Sequence, residues 1–141
     1  MEKVAFALDV NDGWPPVGTE NVWCEKTGPI YELRSAPFFI KGLALGDKFS
    51  AVPDAVNGCI FEFVTVEASG HSLVWIAEQN GLELERYKDD LKQLGLGLEC
   101  FSQLKHHAID VPALADSNAV NALMDRLEEL GFMMAFPVWR H

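Results

Sequence analysis

The fold is decided by the stretch SLVWIAEQNGLELERYKDDLKQLGLGLECF, residues 72–101. It opens with Ser72 to Glu78, which we interpret as a strand. A turn at residues 80–81 follows, and after it apolar side chains recur every three or four residues, which predicts one face of a helix. These side chains are Leu84, Tyr87, Leu91 and Leu94. Gly95 is well placed to end this helix in a left-handed conformation.

The chain beyond this helix repeats the same order of elements. Leu96 to Phe101 and His106 to Val111 are predicted as two middle strands. Ser117 is predicted to cap a second helix, which Gly131 ends. The apolar stripe of that helix consists of Val120, Leu123, Met124, Leu127 and Leu130. With a last strand from Phe132 to Trp139, the order is that of a ferredoxin-like βαββαβ unit.

The first half of the chain is predicted as five short strands. They cover Lys3 to Val10, Asn21 to Lys26, Ile30 to Arg34, Lys48 to Val52 and Cys59 to Glu67. Turns containing Gly and Pro separate them, which favours a small β-barrel or a curved antiparallel sheet. The predicted fold class is therefore α+β, with lobes at residues 1–68 and 69–141. Because the connection between the lobes is short, we expect them to pack as one compact unit.

Composition limits the classes of partner. The chain has 141 residues, of which 49% are hydrophobic, and a formal charge of -10. This charge opposes the counterion release that drives nucleic-acid binding and the attraction to anionic membranes, so we expect neither partner. No apolar run reaches the ~20 residues that a spanning helix needs, and the N-terminus does not resemble a signal peptide. We expect a cytoplasmic protein.

Metal and cofactor motifs are absent from the sequence. It contains neither HExxH nor paired CxxC, the usual signatures of zinc sites. His106 and His107 are neighbours on a predicted strand, so their rings point to opposite faces and cannot easily chelate one ion. We therefore expect no metal and no cofactor. The three cysteines, Cys24, Cys59 and Cys100, are expected to be small buried apolar side chains.

The sequence offers one weak arrangement for covalent catalysis. Cys100 could approach His106 or His107 across a hairpin of the middle strands, although a chance neighbour is the favoured interpretation. Four carboxylates on predicted strands are expected to face solvent; they are Glu62, Glu67, Glu78 and Glu99. We predict that the protein is not an enzyme, and an unrecognised Cys/His hydrolase is a further alternative.

Four short motifs carry a family resemblance. They are Glu20-Asn21-Val22-Trp23, Tyr31-Glu32-Leu33, Ala36-Pro37-Phe38-Phe39 and Gly46-Asp47. In this order they resemble an uncharacterised family of small bacterial proteins known only as a domain of unknown function, and the resemblance implies no activity. A folding role explains the motifs: Pro37 fixes the chain, Phe38 fills a barrel end and Gly46-Asp47 makes a turn. The alternative is a ligand site at one barrel end, lined by Glu20, Trp23, Tyr31 and Asp47.

The leading functional hypothesis is a non-catalytic, acidic protein-binding protein. It is most specifically an immunity or antitoxin-like protein that neutralises a basic bacterial toxin, because inhibitors of basic proteins use acidic patches for fast association. The candidate partner-binding residues lie on the two predicted helices; they are Glu83, Glu85, Asp89, Asp90, Asp125, Glu128 and Glu129. A small-molecule-binding regulatory domain is the alternative. The sequence leaves the oligomeric state open.

Overall fold

The computed structural model describes residues 1–141 as an α+β chain with two antiparallel sheets and two α-helices. The chain divides into two compact units, Met1–Ser69 and Gly70–His141. This boundary lies one residue beyond the predicted one. Each unit has one sheet and its own apolar core. Neither helix is long and apolar enough to cross a membrane.

The first unit is a meander of five antiparallel strands. The strands are β1 (Glu2–Ala7), β2 (Thr19–Thr27), β3 (Ile30–Leu33), β4 (Lys48–Ser50) and β5 (Val64–Glu67). β1 and β5 are the two ends of the sheet, so it is not a closed barrel and the barrel alternative is wrong. The reason lies in residues 51–63, which leave the sheet after β4. Only Ile60 returns to β1, with two backbone hydrogen bonds of 2.8 Å.

Alternation along the strands places one apolar face of this sheet in the core. On β2, Glu20, Val22 and Cys24 are buried, while Asn21, Trp23 and Glu25 between and after them are exposed. Phe49 on β4 lies at the centre of the core and is fully buried. Its ring stacks on Tyr31 with centroids 5.3 Å apart and meets Phe6 at 5.6 Å. The opposite face of the sheet carries the polar side chains of the same strands.

The second unit is a four-stranded antiparallel sheet in the order β7-β8-β6-β9. The strands are β6 (Ser72–Ala77), β7 (Gly97–Phe101), β8 (His106–Val111) and β9 (Met133–Val138). A 3-10 turn, Leu84–Tyr87, leads into α1 (Lys88–Gln93) between β6 and β7, and α2 (Ser117–Leu130) connects β8 to β9. β7 and β9 are the two edge strands of this sheet.

Both helices pack on the same face of the second sheet. Ile76 of β6 and Ile109 of β8 share one core cluster with Leu91 of α1 and Leu127 of α2. These are positions that the helical and strand periodicities predict as apolar and buried. The polar sides of both helices therefore face away from the sheet.

The start of α2 differs by one residue from the prediction. Its N-cap is Asp116, not Ser117, because the Asp116 carboxylate accepts hydrogen bonds from the N–H groups of Asn118 and Ala119 at 3.0 and 3.3 Å. Asp and Ser are equally good caps, so the sequence alone does not choose between neighbours. The helix ends as predicted at Gly131, which has a φ of 111°.

Candidate functional site

Glu20, the first acidic residue of the family motifs, is a buried backbone anchor. Alternation on β2 places it on the core face, where it is 9% exposed. Its carboxylate accepts hydrogen bonds from the N–H groups of Phe38, Phe39 and Ile40 at 2.6, 2.8 and 3.2 Å. Burial raises the pKa of Glu20, and these three N–H donors oppose that rise. The carboxylate thus holds the connection between β3 and β4 and has little capacity left for a ligand.

Asp47 is a second anchor of the same kind. It is fully buried, and its carboxylate accepts hydrogen bonds from the N–H groups of Ala44 and Ser69 at 3.0 and 2.8 Å. Gly46 before it has a φ of 87°, and a Cβ there would lie 3.0 Å from the Cβ of Ser69. Gly46-Asp47 therefore makes a tight turn, as the folding explanation of the motif predicts, and ties it to the end of the unit.

The two aromatic residues of the predicted ligand site lie on opposite sides of the first sheet. Tyr31 is buried in the core against Phe49. Trp23 is 44% exposed on the outer face, where the Lys3 Nζ lies 5.2 Å from its ring centroid. Because Glu20 and Trp23 are three residues apart on one strand, they too point to opposite faces. The structure does not bring the four predicted lining residues together around one cavity.

A cavity does exist on the outer face of the first sheet, with a volume of about 500 Å³. Its lining comes from four neighbouring strands and consists of Glu25, Thr27, Ile30, Glu32, Lys48, Val66 and Glu67. We call it the outer groove. Glu32 pairs with Glu25 on one side and with Lys48 on the other, and Lys48 pairs with Glu67. Sequence reasoning missed the outer groove, because only strand register places these separate residues side by side.

The seven acidic residues predicted to bind a partner lie on the two helices and the turn before α1. We call them the acidic helix surface. Six of them are exposed and Asp90 is partly buried. Asp90 connects the helices, because its Oδ2 accepts a hydrogen bond from Arg126 Nη2 at 2.8 Å. Arg126 also lies over the Tyr87 ring at 5.8 Å. The structure therefore places both acidic clusters on the solvent side of one helix pair.

A third arrangement joins a cysteine, a histidine and a carboxylate, and we call it the thiol site. Cys100 on β7 lies directly opposite His107 on β8, so the two side chains point to the same face of the sheet. His107 also pairs with the core residue Ile76, which identifies this face as the one under the helices. His107 Nε2 lies 2.5 Å from Glu78 Oε2. His106 is on the other face, near Trp75.

Exposure differs sharply within the thiol site. The side chains of His107 and Glu78 are 8% and 13% exposed, whereas Cys100 on the edge strand is exposed. Two predictions are therefore wrong: Glu78 does not face solvent, and Cys100 is not buried, although Cys24 is. The pKa of Cys100 is raised, first by partial burial and second by the charge of Glu78. The buried His107 Nδ1 has no hydrogen-bond partner.

A serine, two histidines and an aspartate also meet in the second unit. Ser72 Oγ lies 2.6 Å from His141 Nδ1 and accepts a hydrogen bond from Arg140 N at 2.7 Å. His71 Nδ1 lies 2.8 Å from Asp110 Oδ1, and burial raises the pKa of Asp110. Because Ser72 is fully buried, its hydroxyl cannot reach a substrate. This cluster holds residues 140–141 against β6. No group of three His, Cys, Asp or Glu side chains is arranged to hold a metal ion.

Comparisons with known proteins agree with this fold. Residues 20–135 match the family described as Domain of unknown function (DUF4265). The chain is also similar to a solved structure described as a novel crystal structure of a hypothetical protein from Neisseria gonorrhoeae, with a TM-score of 0.77 and 13% identity. That likeness covers 98% of this chain and 96% of the other, and at this identity it shows the fold alone. No curated protein matches the chain.

Proposed function

The chain belongs to the family described as Domain of unknown function (DUF4265), and we propose that it is a cytoplasmic protein that binds a basic protein partner. The partner class is a basic bacterial toxin, which the chain neutralises in the manner of an immunity protein or antitoxin. Binding occurs through the acidic helix surface and requires no catalysis.

One observation carries this proposal: the Asp90 and Arg126 pair connects two helices that both expose carboxylates. Seven carboxylates belong to this surface. The same segments carry four cationic side chains, Arg86, Lys88, Lys92 and Arg126, so the surface has an excess of three negative charges. Like charges closer than the ~8 Å screening length of physiological salt reinforce one another, and the sequence neighbours Glu128 and Glu129 are both exposed.

Such a surface accelerates encounters with a basic partner. Complementary charge raises association rates by roughly 10²-fold or more at low salt, and the gain falls as salt screens it. Six of the seven carboxylates are also already exposed before a partner arrives. Both properties suit a protein that must capture a toxin before the toxin acts.

The test is capture of partners from native lysate by the tagged protein at about 0.05 M and about 0.5 M salt. One variant reverses six charges of the acidic helix surface: Glu83, Glu85, Asp89, Asp125, Glu128 and Glu129, each changed to Lys. Asp90 is kept because it pairs with Arg126. We expect the wild type to capture a stoichiometric basic protein at low salt only, and the variant to lose it.

The matched control places six charge reversals in the first unit, at the exposed residues Glu2, Asp9, Asp12, Glu25, Glu62 and Glu67. It changes the overall charge in the same direction but leaves the helices intact. A partner that survives reversal of the acidic helix surface, or that is lost equally in the control, would contradict the proposed surface.

A small-molecule-binding role is the second candidate, and the outer groove is the observation that favours it. Three carboxylates line this groove beside a single lysine, so the ligand class it suits is a small organic cation. Titration calorimetry with spermidine tests this directly. Saturable binding by the wild type, lost in the double variant Glu25→Gln and Glu67→Gln but kept in Glu62→Gln, is the expected result. Equal heats from all three proteins would remove this candidate.

We also propose that the second unit is a ferredoxin-like unit. Its support is the strand order β7-β8-β6-β9 with antiparallel neighbours and helical connections after β6 and β8, which is the arrangement of that fold. Such units serve many unrelated functions, so the assignment favours none of them.

A further inference from the structure

The thiol site has a use that partner binding does not explain. Three side chains of complementary chemistry come from three elements: Cys100 from β7, His107 from β8, and Glu78 from the end of β6. A thiol, an imidazole and a carboxylate in this order are the components of an activated nucleophile. The acidic helix surface uses none of them.

The geometry gives His107 a defined orientation. Its Nε2 is occupied by the Glu78 carboxylate, and an ionised carboxylate only accepts hydrogen bonds, so this nitrogen carries the proton. With the proton on Nε2, the neutral form of the ring has Nδ1 as an acceptor. A carboxylate that fixes the tautomer of a histidine base acts in the same way as the third member of a catalytic triad.

The free nitrogen is the second observation that marks a site. The His107 side chain is only 8% exposed, which makes it more than nine-tenths buried. Its Nδ1 nevertheless has no hydrogen-bond partner. A buried polar atom without a hydrogen bond typically costs about 1–3 kcal/mol, and native proteins retain few of them. The cross-strand neighbour on the same face is Cys100. Its thiol makes no hydrogen bond to Nδ1 in this structure, so the Cys100 side chain must rotate towards the ring before the proton is transferred.

We propose that Cys100 is an acyl-accepting thiol, with His107 as the base that takes its proton and Glu78 as the residue that positions His107. In the reaction, the S–H bond breaks and its proton moves to His107 Nδ1. The sulfur forms a bond to the carbonyl carbon of an activated ester or thioester. The bond from that carbon to the leaving oxygen or sulfur breaks, and the leaving group takes the proton from His107.

The position of Cys100 indicates how the acyl donor reaches it. β7 is an edge strand, so alternate backbone N–H and C=O groups along its outer side are available to an added strand. Cys100 is exposed on that strand. The substrate class that this arrangement suits is an acyl donor with an extended, peptide-like chain that lies along β7.

Electrostatics explain why the thiol needs a base. Partial burial and the Glu78 charge raise the pKa of Cys100, so at neutral pH the thiol is rarely ionised without help. Transfer of the proton to His107 creates a cation between the thiolate and Glu78, and this cation compensates both negative charges. Glu78 therefore has opposite effects in the two cases: it suppresses an isolated thiolate but supports a thiolate paired with a protonated His107.

The experiment measures acetylation of the full chain by p-nitrophenyl acetate, with the modified cysteine located by peptide mass spectrometry. Cys59 serves as an internal control, since it is partly exposed and has no histidine opposite it. We expect Cys100 to react on the order of 10²-fold faster than Cys59 in wild-type protein at neutral pH. Equal rates at the two cysteines would overturn the proposal without any variant.

Two variants complete the test. We expect His107→Gln to reduce acetylation of Cys100 by on the order of 10²-fold. Glu78→Gln separates the two electrostatic cases: a positioning role predicts slower acetylation, whereas simple charge removal would make it faster. Faster acetylation in Glu78→Gln would overturn the proposal. Urea denaturation of each variant reports whether the second unit, Gly70–His141, is still folded, and the acetylation readout is independent of any bound partner.

Discussion

Buried carboxylates play different parts in the two units. In the first unit, Glu20 and Asp47 accept hydrogen bonds from five backbone N–H groups. In the second, Glu78 binds a histidine ring whose other nitrogen has no partner. The first two carboxylates complete a connection and a turn. The third orients a side chain that remains able to react.

The carboxylates that stand out in the sequence motifs are not the carboxylate that lies beside a reactive side chain. Glu20 and Asp47 belong to the family motifs, and the structure gives each a folding role. Glu78 belongs to no motif and was predicted to face solvent, yet it contacts His107. His107 in turn lies opposite the exposed Cys100 on the neighbouring strand. A motif can therefore mark what a fold requires, while the reactive group lies elsewhere.

The largest expected effect follows from removing the Glu20 anchor. Glu20→Ala leaves three N–H donors without their acceptor, two of them at buried positions. Unpaired buried donors cost about 1–3 kcal/mol each, and water can satisfy some of them. We expect the free energy of unfolding to fall by about 3 kcal/mol, measured by urea denaturation.

Glu25→Ala is the matched control on the same strand. Glu25 is exposed and its only ion pair, with Arg34, spans 3.8 Å, so we expect a change of less than about 0.5 kcal/mol. If both substitutions lower the free energy of unfolding equally, Glu20 is not an anchor. The two units would then no longer differ in how they use buried carboxylates.

A smaller effect is expected from Glu78→Ala. Glu78 binds one side chain closely and one N–H group, that of Leu84, at a long 3.4 Å. Because its carboxylate is partly exposed, water replaces part of what is lost. We expect a loss of about 1 kcal/mol in urea denaturation. A loss as large as that of Glu20→Ala would make Glu78 an anchor too.

Sequence periodicity predicted most of the fold. Most strand positions, both helices and the order of elements in the second unit follow from local patterns of period two and 3.6. The fifth strand was predicted to begin at Cys59, but β5 begins at Val64, because residues 51–63 leave the sheet. Local patterns did not predict that the first sheet stays open. Closure of the sheet depends on where residues 51–63 run after β4. That path is set by long-range contacts at Ile60, which leave no local signal.

The candidate sites were less predictable for a related reason. Sequence reasoning placed Cys100 near either His106 or His107, and strand register decides for His107. The burial of Glu78 and the outer groove depend on which residues of distant strands become neighbours. A register shift of one residue would exchange the faces, and register is fixed by the whole sheet.

The contribution of Glu20 to stability is expected to depend on pH. Burial raises the folded-state pKa of Glu20 above its unfolded value of 4.5. The protonated carboxyl is thus favoured in the folded state, so its contribution to stability is complete below pH 4.5 and is lost as pH rises through the folded pKa. The variant Glu20→Gln does not titrate there. We expect the stability difference between wild type and Glu20→Gln to shrink between about pH 4 and pH 7.

Urea denaturation of both proteins across this range provides the measurement, and Glu25→Gln provides the control. A difference that grows with pH would mean that the three N–H donors outweigh burial and hold the Glu20 pKa low. In that case Glu20 would be an ionised anchor at neutral pH. Its difference from Glu78 would then lie in its hydrogen-bond partners, which are backbone N–H groups and not a histidine ring.

The smallest expected effect is that of Cys100→Ser on stability. Cys100 is exposed, so little apolar burial is lost, and we expect the free energy of unfolding to change by less than about 0.5 kcal/mol. A loss above about 1 kcal/mol would identify Cys100 as a packing residue. If Cys100→Ser leaves stability unchanged and abolishes acetylation at position 100, Cys100 contributes to the reaction and not to the fold. Cys100 would then differ from the anchored carboxylates of the first unit, which contribute to the fold.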